Sequence, residues 1–317
     1  MAQAAAHARR QAEWITVAWQ GISLLVPEDW YPAALGTERA SGYLRVQSAD
    51  GYSVEVKWFQ PRHTVDLERE VAKYRKTLER GARKRRREFE WRDKPKVPER
   101  ESRPDKSRRF FAWRSEGQAL GVIWYCRTCS RVILAQVVMP PDEESSVLAS
   151  RILNAIEDHG EEGMERWAVY GLEVSVPAGW SLDKHQLMAG YTMLQFRRRD
   201  RVVRAERWAL ASVALKDVAL RDFVHQKSRK FWKDFSIDVT EAPSGPHPAE
   251  RFSGRTRKVW LRGVAAVRRL LRRPAADWLT AQAWHCDTEN KIFAIHAIHP
   301  RGDLEVFEKA LDSVTCH

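Results

Sequence analysis

Short runs of alternating apolar and polar residues make up most of this chain, and one series of runs occurs twice. The run Ile22-Ser-Leu-Leu-Val-Pro-Glu-Asp-Trp30 is matched by Leu172-Glu-Val-Ser-Val-Pro-Ala-Gly-Trp180. Later aromatic positions recur as well, Trp58 as Trp208 and Trp124-Tyr-Cys126 as Trp284-His-Cys286. The repeat is much longer than a solenoid unit, so each copy is predicted to be a complete domain.

In the first copy, the pattern predicts strands on either side of one long helix. Two apolar runs around Gln20-Gly21 predict a hairpin that Pro27 ends, since proline cannot continue a central strand. Alternation at Val54, Val56 and Trp58 predicts a strand with one buried face. The predicted strands cover 15–19, 22–26, 43–47, 52–58, 108–115, 118–125 and 130–139, and the predicted helices cover 64–89 and 142–157.

The second copy repeats this order of elements. It predicts a hairpin over 167–176, strands over 191–197, 202–212, 236–241, 249–255, 278–285 and 290–298, and helices over 217–235 and 303–314. The segment 256–273 is an insertion with no counterpart in the first copy. Residues 92–107 of the first copy hold three prolines among charged residues, which predicts a surface loop.

Strands, a long helix, more strands and a final helix predict an α+β fold built on antiparallel sheets. A glycine-broken polar stretch, Glu157–Gly163, separates the two copies. The expected organisation is a lead-in over 1–13, a first domain over 14–159, a linker over 160–166 and a second domain over 167–317.

The element order and two turns resemble the PsbP-like fold family. The turns are Val26-Pro27 before Trp30 and Val176-Pro177 before Trp180. The family includes PsbP of the photosystem oxygen-evolving complex and a Ran-binding nuclear-transport factor. The resemblance spans both domains and implies a tandem duplication of an α/β/α sandwich. It also implies a non-catalytic binding or assembly protein, because most members of that fold have such roles.

Composition limits the location and the partner. The chain has 317 residues, 44% of them hydrophobic, with no apolar stretch long enough to predict a membrane span. Its N-terminus lacks a secretory-type apolar region, so a cytoplasmic location is expected. The net charge of +12 suggests an acidic partner such as RNA, DNA or an anionic surface, but the favoured interpretation is that the basic residues only solubilise the surface.

Cysteine and histidine residues recur at matching places in the two copies. Strand and helix lengths predict that each final helix returns toward the cysteine at the end of a strand. A Zn²⁺ site needs about four such ligands. The first copy offers Cys126, Cys129 and His159 with Asp158 as a further candidate, and the second offers Cys286, Cys316 and His317 with Glu289 as a further candidate.

Two other interpretations of these residues remain open. Cys286 and Cys316 could form a disulfide, although a cytoplasmic location argues against it. The cysteines could also be packed thiols with incidental neighbours. A thioredoxin-like role for Cys126 and Cys129 is disfavoured, since that motif belongs at a helix N-terminus and here it lies between strands.

Two basic segments are candidates for nucleic-acid binding. Basic side chains interleaved with aromatic residues can follow a phosphate backbone and stack on bases. A solvated or helix-capping role is the slightly favoured alternative, and the segment 255–273 could equally be a basic amphipathic segment that lies on an anionic membrane or partner. The candidates are Arg83, Lys84, Arg85, Arg86 and Arg87 in the segment 83–87, and Arg255, Arg257, Lys258, Arg262, Arg268, Arg269, Arg272 and Arg273 in the segment 255–273.

No nucleotide-binding loop, zinc-protease motif or nucleophile elbow occurs in the sequence. Whether the protein is an enzyme stays open, and the sequence favours a non-catalytic role. The first hypothesis is a protein-binding or assembly module with an unknown protein partner. The alternatives are a nucleic-acid-associated protein and a metal or redox enzyme at the cysteine clusters.

Overall fold

The chain forms two compact units, Met1–Gly160 and Glu161–His317. The structure is a computed structural model that describes residues 13–38, 40–95, 97, 106–141, 146–160, 163–244, 247–260, 263 and 275–316. Strands outnumber helices in both units, so the fold is mainly β.

The first unit contains a hairpin and a seven-stranded antiparallel sheet. The hairpin consists of β1 (Trp14–Trp19) and β2 (Ile22–Pro27). The other elements are β3 (Tyr31–Thr37), β4 (Ser41–Gln47), β5 (Ser53–Phe59), α1 (Leu67–Lys84), β6 (Glu90–Asp93), β7 (Lys106–Arg114), β8 (Gln118–Cys126), β9 (Arg131–Met139) and α2 (Ser146–Asn154). The sheet order is β3-β4-β5-β9-β8-β7-β6.

The second unit has the same plan. Its hairpin consists of β10 (Met164–Val169) and β11 (Leu172–Pro177). The other elements are β12 (Ser181–Met188), β13 (Tyr191–Arg198), β14 (Arg201–Ala209), α3 (Ala211–Ala214), α4 (Leu220–Trp232), β15 (Phe235–Ser244), β16 (His247–Thr256), β17 (Trp278–Cys286), β18 (Lys291–His299) and α5 (Glu305–Asp312). The sheet order, β12-β13-β14-β18-β17-β16-β15, corresponds strand for strand to that of the first unit.

Helices cover opposite faces of the first sheet. On one face, Val71 of α1 packs against Ile123 and Val132. On the other face, α2 contacts β8 and β9, and the side chain of Arg108 on β7 reaches Asn154 at the end of α2. Val54, Val56 and Trp58 are buried, which confirms the predicted buried face of β5.

In the second sheet, α4 packs on Trp208, Phe252 and Ala281, and α5 contacts β14 and β18.

The tryptophans Trp58 and Trp208, which share a position in the sequence repeat, lie on non-equivalent faces of their sheets. Trp58 pairs with Ile133, which also pairs with Trp124. In the second unit, Phe293 pairs with Trp284 on one side and with Arg207 on the other. Trp208 is therefore one residue away from the position that corresponds to Trp58. A displacement of one residue moves a side chain to the other face of a sheet.

Several predicted boundaries were wrong. The predicted helix 64–89 is α1, which is shorter because the Asp66 side chain caps its start and Arg86 adopts a left-handed φ of 57° just after its end. The predicted linker 160–166 contains the start of β10, and the predicted loop 92–107 contains the end of β6 and the start of β7. Parts of the predicted segments lie outside the described residues, namely 1–12 of the lead-in, 161–162 of the linker, and 39, 96, 98–105, 142–145, 245–246, 261–262 and 264–274.

Candidate functional site

The first cysteine cluster lies where the final helix of the first unit returns to the sheet. Cys126 ends β8, and Asp158 and His159 follow α2. The chain after α2 is held against β2 by two backbone hydrogen bonds between Ser23 and Glu157, of 2.8 and 2.9 Å. Ligand atoms of Cys126, Asp158 and His159 consequently lie within 4.8 Å of one another.

A buried lysine, which sequence reasoning missed, lies in this cluster. Lys106 begins β7 and pairs with Cys126 across the sheet. Its side chain is 1% exposed, and its Nζ lies 2.9 Å from Oδ1 of the fully buried Asp158. The indole Nε1 of Trp124 donates to the other carboxylate oxygen, Oδ2, at 2.7 Å. The carboxylate of Asp158 therefore already has a cation on one oxygen and a donor on the other.

Burial alone would raise the pKa of Asp158, but the Trp124 hydrogen bond and the Lys106 ammonium outweigh burial and lower it. Cys129 lies in the turn after β8, near Cys126 and Asp158. Burial, together with the nearby Asp158 charge, raises the pKa of its thiol to about 12. A neutral thiol is a poor nucleophile, and it becomes a metal ligand only when the metal displaces its proton.

The second cysteine cluster includes a histidine that the sequence did not suggest. The ligand atoms of His247, Cys286 and Cys316 lie within 4.8 Å of one another, and Cys316 Sγ is 3.2 Å from His247 Nε2. Cys286 is fully buried, whereas His247 and Cys316 are half-buried. Burial and the adjacent Cys286 raise the pKa of the Cys316 thiol, and a hydrogen bond from Trp284 acts in the opposite direction.

The structure does not place the other residues predicted for this site among the ligand atoms of the second cluster. Glu289 forms an ion pair with Lys291 instead of joining the cysteines. His317 lies outside the described residues. The alternative of a Cys286–Cys316 disulfide is not found, because none of the four cysteines, Cys126, Cys129, Cys286 and Cys316, is joined in a disulfide.

A separate polar network is buried beneath α4. The Trp232 indole donates to Nδ1 of His296 at 3.2 Å, so Nδ1 is an acceptor and Nε2 carries a proton. That Nε2 lies 2.7 Å from Oε2 of Glu206, whose other oxygen accepts a hydrogen bond from Tyr191. Burial tends to raise the pKa of Glu206, but the contact with His296 and the other partners lowers it. Each member has a partner within the unit, which is typical of a structural network.

Some residues of the basic segments have local partners. Arg83 and Lys84 lie in the last turn of α1, where cations favour the helix dipole. Arg87 Nε lies 2.8 Å from Glu116. In the other segment, Arg255 pairs with Asp277 at 3.4 Å and Lys258 with Asp234 at 2.6 Å, whereas Arg262, Arg268, Arg269, Arg272 and Arg273 lie outside the described residues.

A cleft of about 560 Å³ opens in the second unit. Its lining includes Leu215 and Leu220 from the chain around the start of α4, Pro248 of β16 and two glutamates, Glu241 and Glu250. The glutamates lie directly opposite each other in the pairing of β15 with β16. The cleft therefore combines apolar side chains with a concentrated negative charge.

Comparison with protein-family models finds no match, and no curated protein matches the chain. The solution structure of cyanobacterial PsbP (CyanoP) from Synechocystis sp. PCC 6803 is 13% identical with a TM-score of 0.33, over 50% of this chain and 95% of that chain. The immunity protein TplEi of the T6SS from Pseudomonas aeruginosa, complexed with "L" peptide, is 12% identical with a TM-score of 0.33, over 96% of this chain and 98% of that chain. Its apo structure gives 12% identity and a TM-score of 0.32 over the same shares. TM-scores of 0.32 and 0.33 do not show a shared fold with these proteins.

Within the described part of the chain, no helix combines the length and the apolar character that a membrane crossing requires.

Proposed function

We propose that the protein is a non-catalytic binding protein that takes up an extended, positively charged segment of a protein partner along β15. The observation that carries the proposal is the facing pair Glu241 and Glu250 in the cleft of the second unit. Like charges directly opposite each other destabilise an antiparallel strand pair. Among the described residues, neither glutamate has an ion-pair partner, so a cationic side chain of a ligand would relieve their repulsion.

The position of β15 in the sheet suits an extended ligand. β15 is the last strand in the sheet order, and in the described part of the chain no strand pairs with its outer edge. Five of its eight described side chains are exposed, including Val239 at 41%. An open edge offers backbone N–H and C=O groups to an added strand, and neighbouring pockets then select side chains.

The apolar part of the cleft supplies the second element of recognition. Leu215 and Leu220 are half-buried and border the cleft together with Pro248. Side chains alternate in direction along an extended peptide. A segment with a basic residue toward the glutamates and an apolar residue toward the leucines would match this lining. The chain is strongly basic overall, so an acidic cleft is unusual on its surface.

The proposal also includes a common origin for the two units by duplication of one PsbP-like domain. The support is the repeated sequence pattern and the identical strand order of the two sheets. TplEi was solved with a peptide. A TM-score of 0.33 is too low to transfer that ligand, so the proposed peptide site depends on the cleft alone.

The test uses fluorescence polarisation with a labelled, end-blocked peptide of alternating lysine and valine. We expect the double variant Glu241→Lys/Glu250→Lys to bind the peptide at least about tenfold more weakly, since each reversal replaces attraction by repulsion. Glu305→Lys on α5, outside the cleft lining, is the matched control for the single variants Glu241→Lys and Glu250→Lys, since each of the three reverses one charge.

Strand addition has its own readout in the same assay. A peptide N-methylated at alternate residues on its edge-facing side cannot donate backbone hydrogen bonds, so we expect it to bind at least about tenfold more weakly. Equal weakening by the α5 control would indicate nonspecific charge attraction and reject the site. Undiminished binding of the N-methylated peptide would reject pairing along β15.

A further inference from the structure

The strand registers show that Lys106 and His247 hold equivalent positions in the two units. Lys106 pairs with Cys126 across β7 and β8. In the second unit, Ala249 pairs with Trp284 across β16 and β17. His247 is two residues before Ala249, and Cys286 is two residues after Trp284, so an antiparallel register places His247 opposite Cys286.

Asp158 and Cys316 are equivalent in the same way. Each follows the final helix of its unit and contacts the side chain that begins the neighbouring strand, Lys106 for Asp158 and His247 for Cys316. Each also accepts a hydrogen bond from the indole of a tryptophan two residues before the buried cysteine, Trp124 in one unit and Trp284 in the other. The two clusters are therefore versions of one structural site.

The chemistry of the two versions differs in one decisive respect. The first cluster contains its own cation, because the buried Lys106 ammonium lies against the Asp158 carboxylate. The second cluster replaces that ion pair with an imidazole and a thiol, beside the thiol of Cys286. Two sulfur ligands and one imidazole form a soft donor set that suits Zn²⁺.

We infer that the second unit binds one Zn²⁺ ion through His247 Nε2, Cys286 Sγ and Cys316 Sγ, and that the first unit binds none because the Lys106 ammonium takes the place of the metal. The inference is separate from the proposed peptide site. It assigns His247 as a ligand and removes the first-unit cysteines from the expected pair of zinc sites.

The distances fit a tetrahedral site after a small adjustment. Bonds of about 2.3 Å to sulfur and about 2.0 Å to nitrogen place those two ligand atoms roughly 3.5 Å apart in a tetrahedron. Cys316 Sγ and His247 Nε2 are 3.2 Å apart, so they need to separate only slightly. Both residues are half-buried, which leaves a fourth position accessible to water or another small ligand.

Cobalt titration of the full chain tests the inference. The protein is reduced, stripped with a chelator and titrated with Co²⁺, whose absorption reports thiolate coordination. We expect one Co²⁺ per chain, displaced by Zn²⁺, and at least about a hundredfold weaker binding in His247→Gln and Cys316→Ser, since each variant loses one of three protein ligands. Circular dichroism of each metal-free variant checks that it is folded.

The matched controls are His159→Gln and Cys129→Ser, which change half-buried residues of the first cluster. We expect both to bind Co²⁺ like the unchanged protein. The inference is overturned if no thiolate absorption appears, if folded His247→Gln binds as tightly as the unchanged protein, or if two ions bind and a first-cluster variant removes one of them.

Discussion

Lys106 and Asp158 form an ion pair with almost no access to water. The lysine side chain is 1% exposed and the aspartate side chain is 0% exposed. Transfer of two charges out of water is unfavourable, and their attraction offsets that cost only when both are present. Removing one partner leaves the other as an isolated buried charge. The stability of the first unit therefore depends on the presence of both residues or of neither.

The variant Lys106→Met tests this dependence on both partners. We expect the free energy of unfolding to fall by about 3–5 kcal/mol, because the Asp158 carboxylate loses its counterion while staying buried. The double variant Lys106→Met/Asp158→Leu removes both charges and should recover most of that loss. Urea denaturation of the three proteins at neutral pH gives the comparison, and equal stability of the single and double variants would contradict it.

The pair also shows where sequence reasoning stops at this scale. The motif at Cys126 and the residues after α2 predicted a cluster because they recur in both copies. Lys106 and His247 could not be identified in that way, because their equivalence depends on strand register and they are different residue types. Comparison of the two sequence copies identifies only positions where the residue types are still similar. The residues that distinguish the two clusters differ in type, so this comparison does not identify them.

At the scale of elements, the buried strands and the edge strand β15 were predicted, whereas the edge strands β3, β6 and β12 were not. β8 and β9 have largely buried side chains, so their apolar runs were visible in the sequence. β3, β6 and β12 lie at or next to solvent on sheet edges, and most of their side chains are exposed or half-buried. An edge strand buries little, so its residues need no apolar alternation.

The close contact between β15 and β16 leaves no space for a side chain at Gly254. A Cβ added at Gly254 would lie 1.8 Å from the backbone oxygen of Ser236, and no side-chain rotation relieves a contact with backbone. We expect Gly254→Ala to lower the free energy of unfolding by at least about 2 kcal/mol, since the strands must move apart.

Thermal unfolding followed by circular dichroism measures that change. The matched control is Gly190→Ala, because a Cβ at Gly190 meets nothing within 4 Å. Gly190→Ala should differ from the unchanged protein by no more than about 0.5 kcal/mol, as surface substitutions usually do. Similar stability of Gly254→Ala and Gly190→Ala would show that β15 yields easily, and would weaken its assignment as a rigid edge for a ligand.

Across the whole molecule, two sheets of one topology carry different chemistry. The first unit has the Lys106–Asp158 ion pair where the second has His247 and Cys316. The second unit also contains the acidic cleft. The framework therefore fixes where side chains meet, and the residue types at those places decide whether a site is filled internally or left for a ligand.

If the framework is interchangeable, the first unit can be converted into a metal site. The double variant Lys106→His/Asp158→Cys places an imidazole and a thiol beside Cys126, reproducing the donor set of the second unit. We expect cobalt binding to rise from one ion to two per chain, because removal of the ammonium opens the position and adds two ligands. The measurement is the thiolate-to-cobalt absorption in a stoichiometric titration.

The two single variants test separately the removal of the Lys106 ammonium and the replacement of the Asp158 carboxylate by a thiol. Lys106→His keeps the Asp158 carboxylate as a harder ligand, and Asp158→Cys keeps the Lys106 ammonium in place, so neither should bind the second ion at equimolar cobalt. A folded double variant that still binds one ion would mean that matching strand registers do not give matching ligand geometry. In that case the equivalence of the two clusters would hold for the backbone alone, and the zinc site of the second unit would depend on features the first unit lacks.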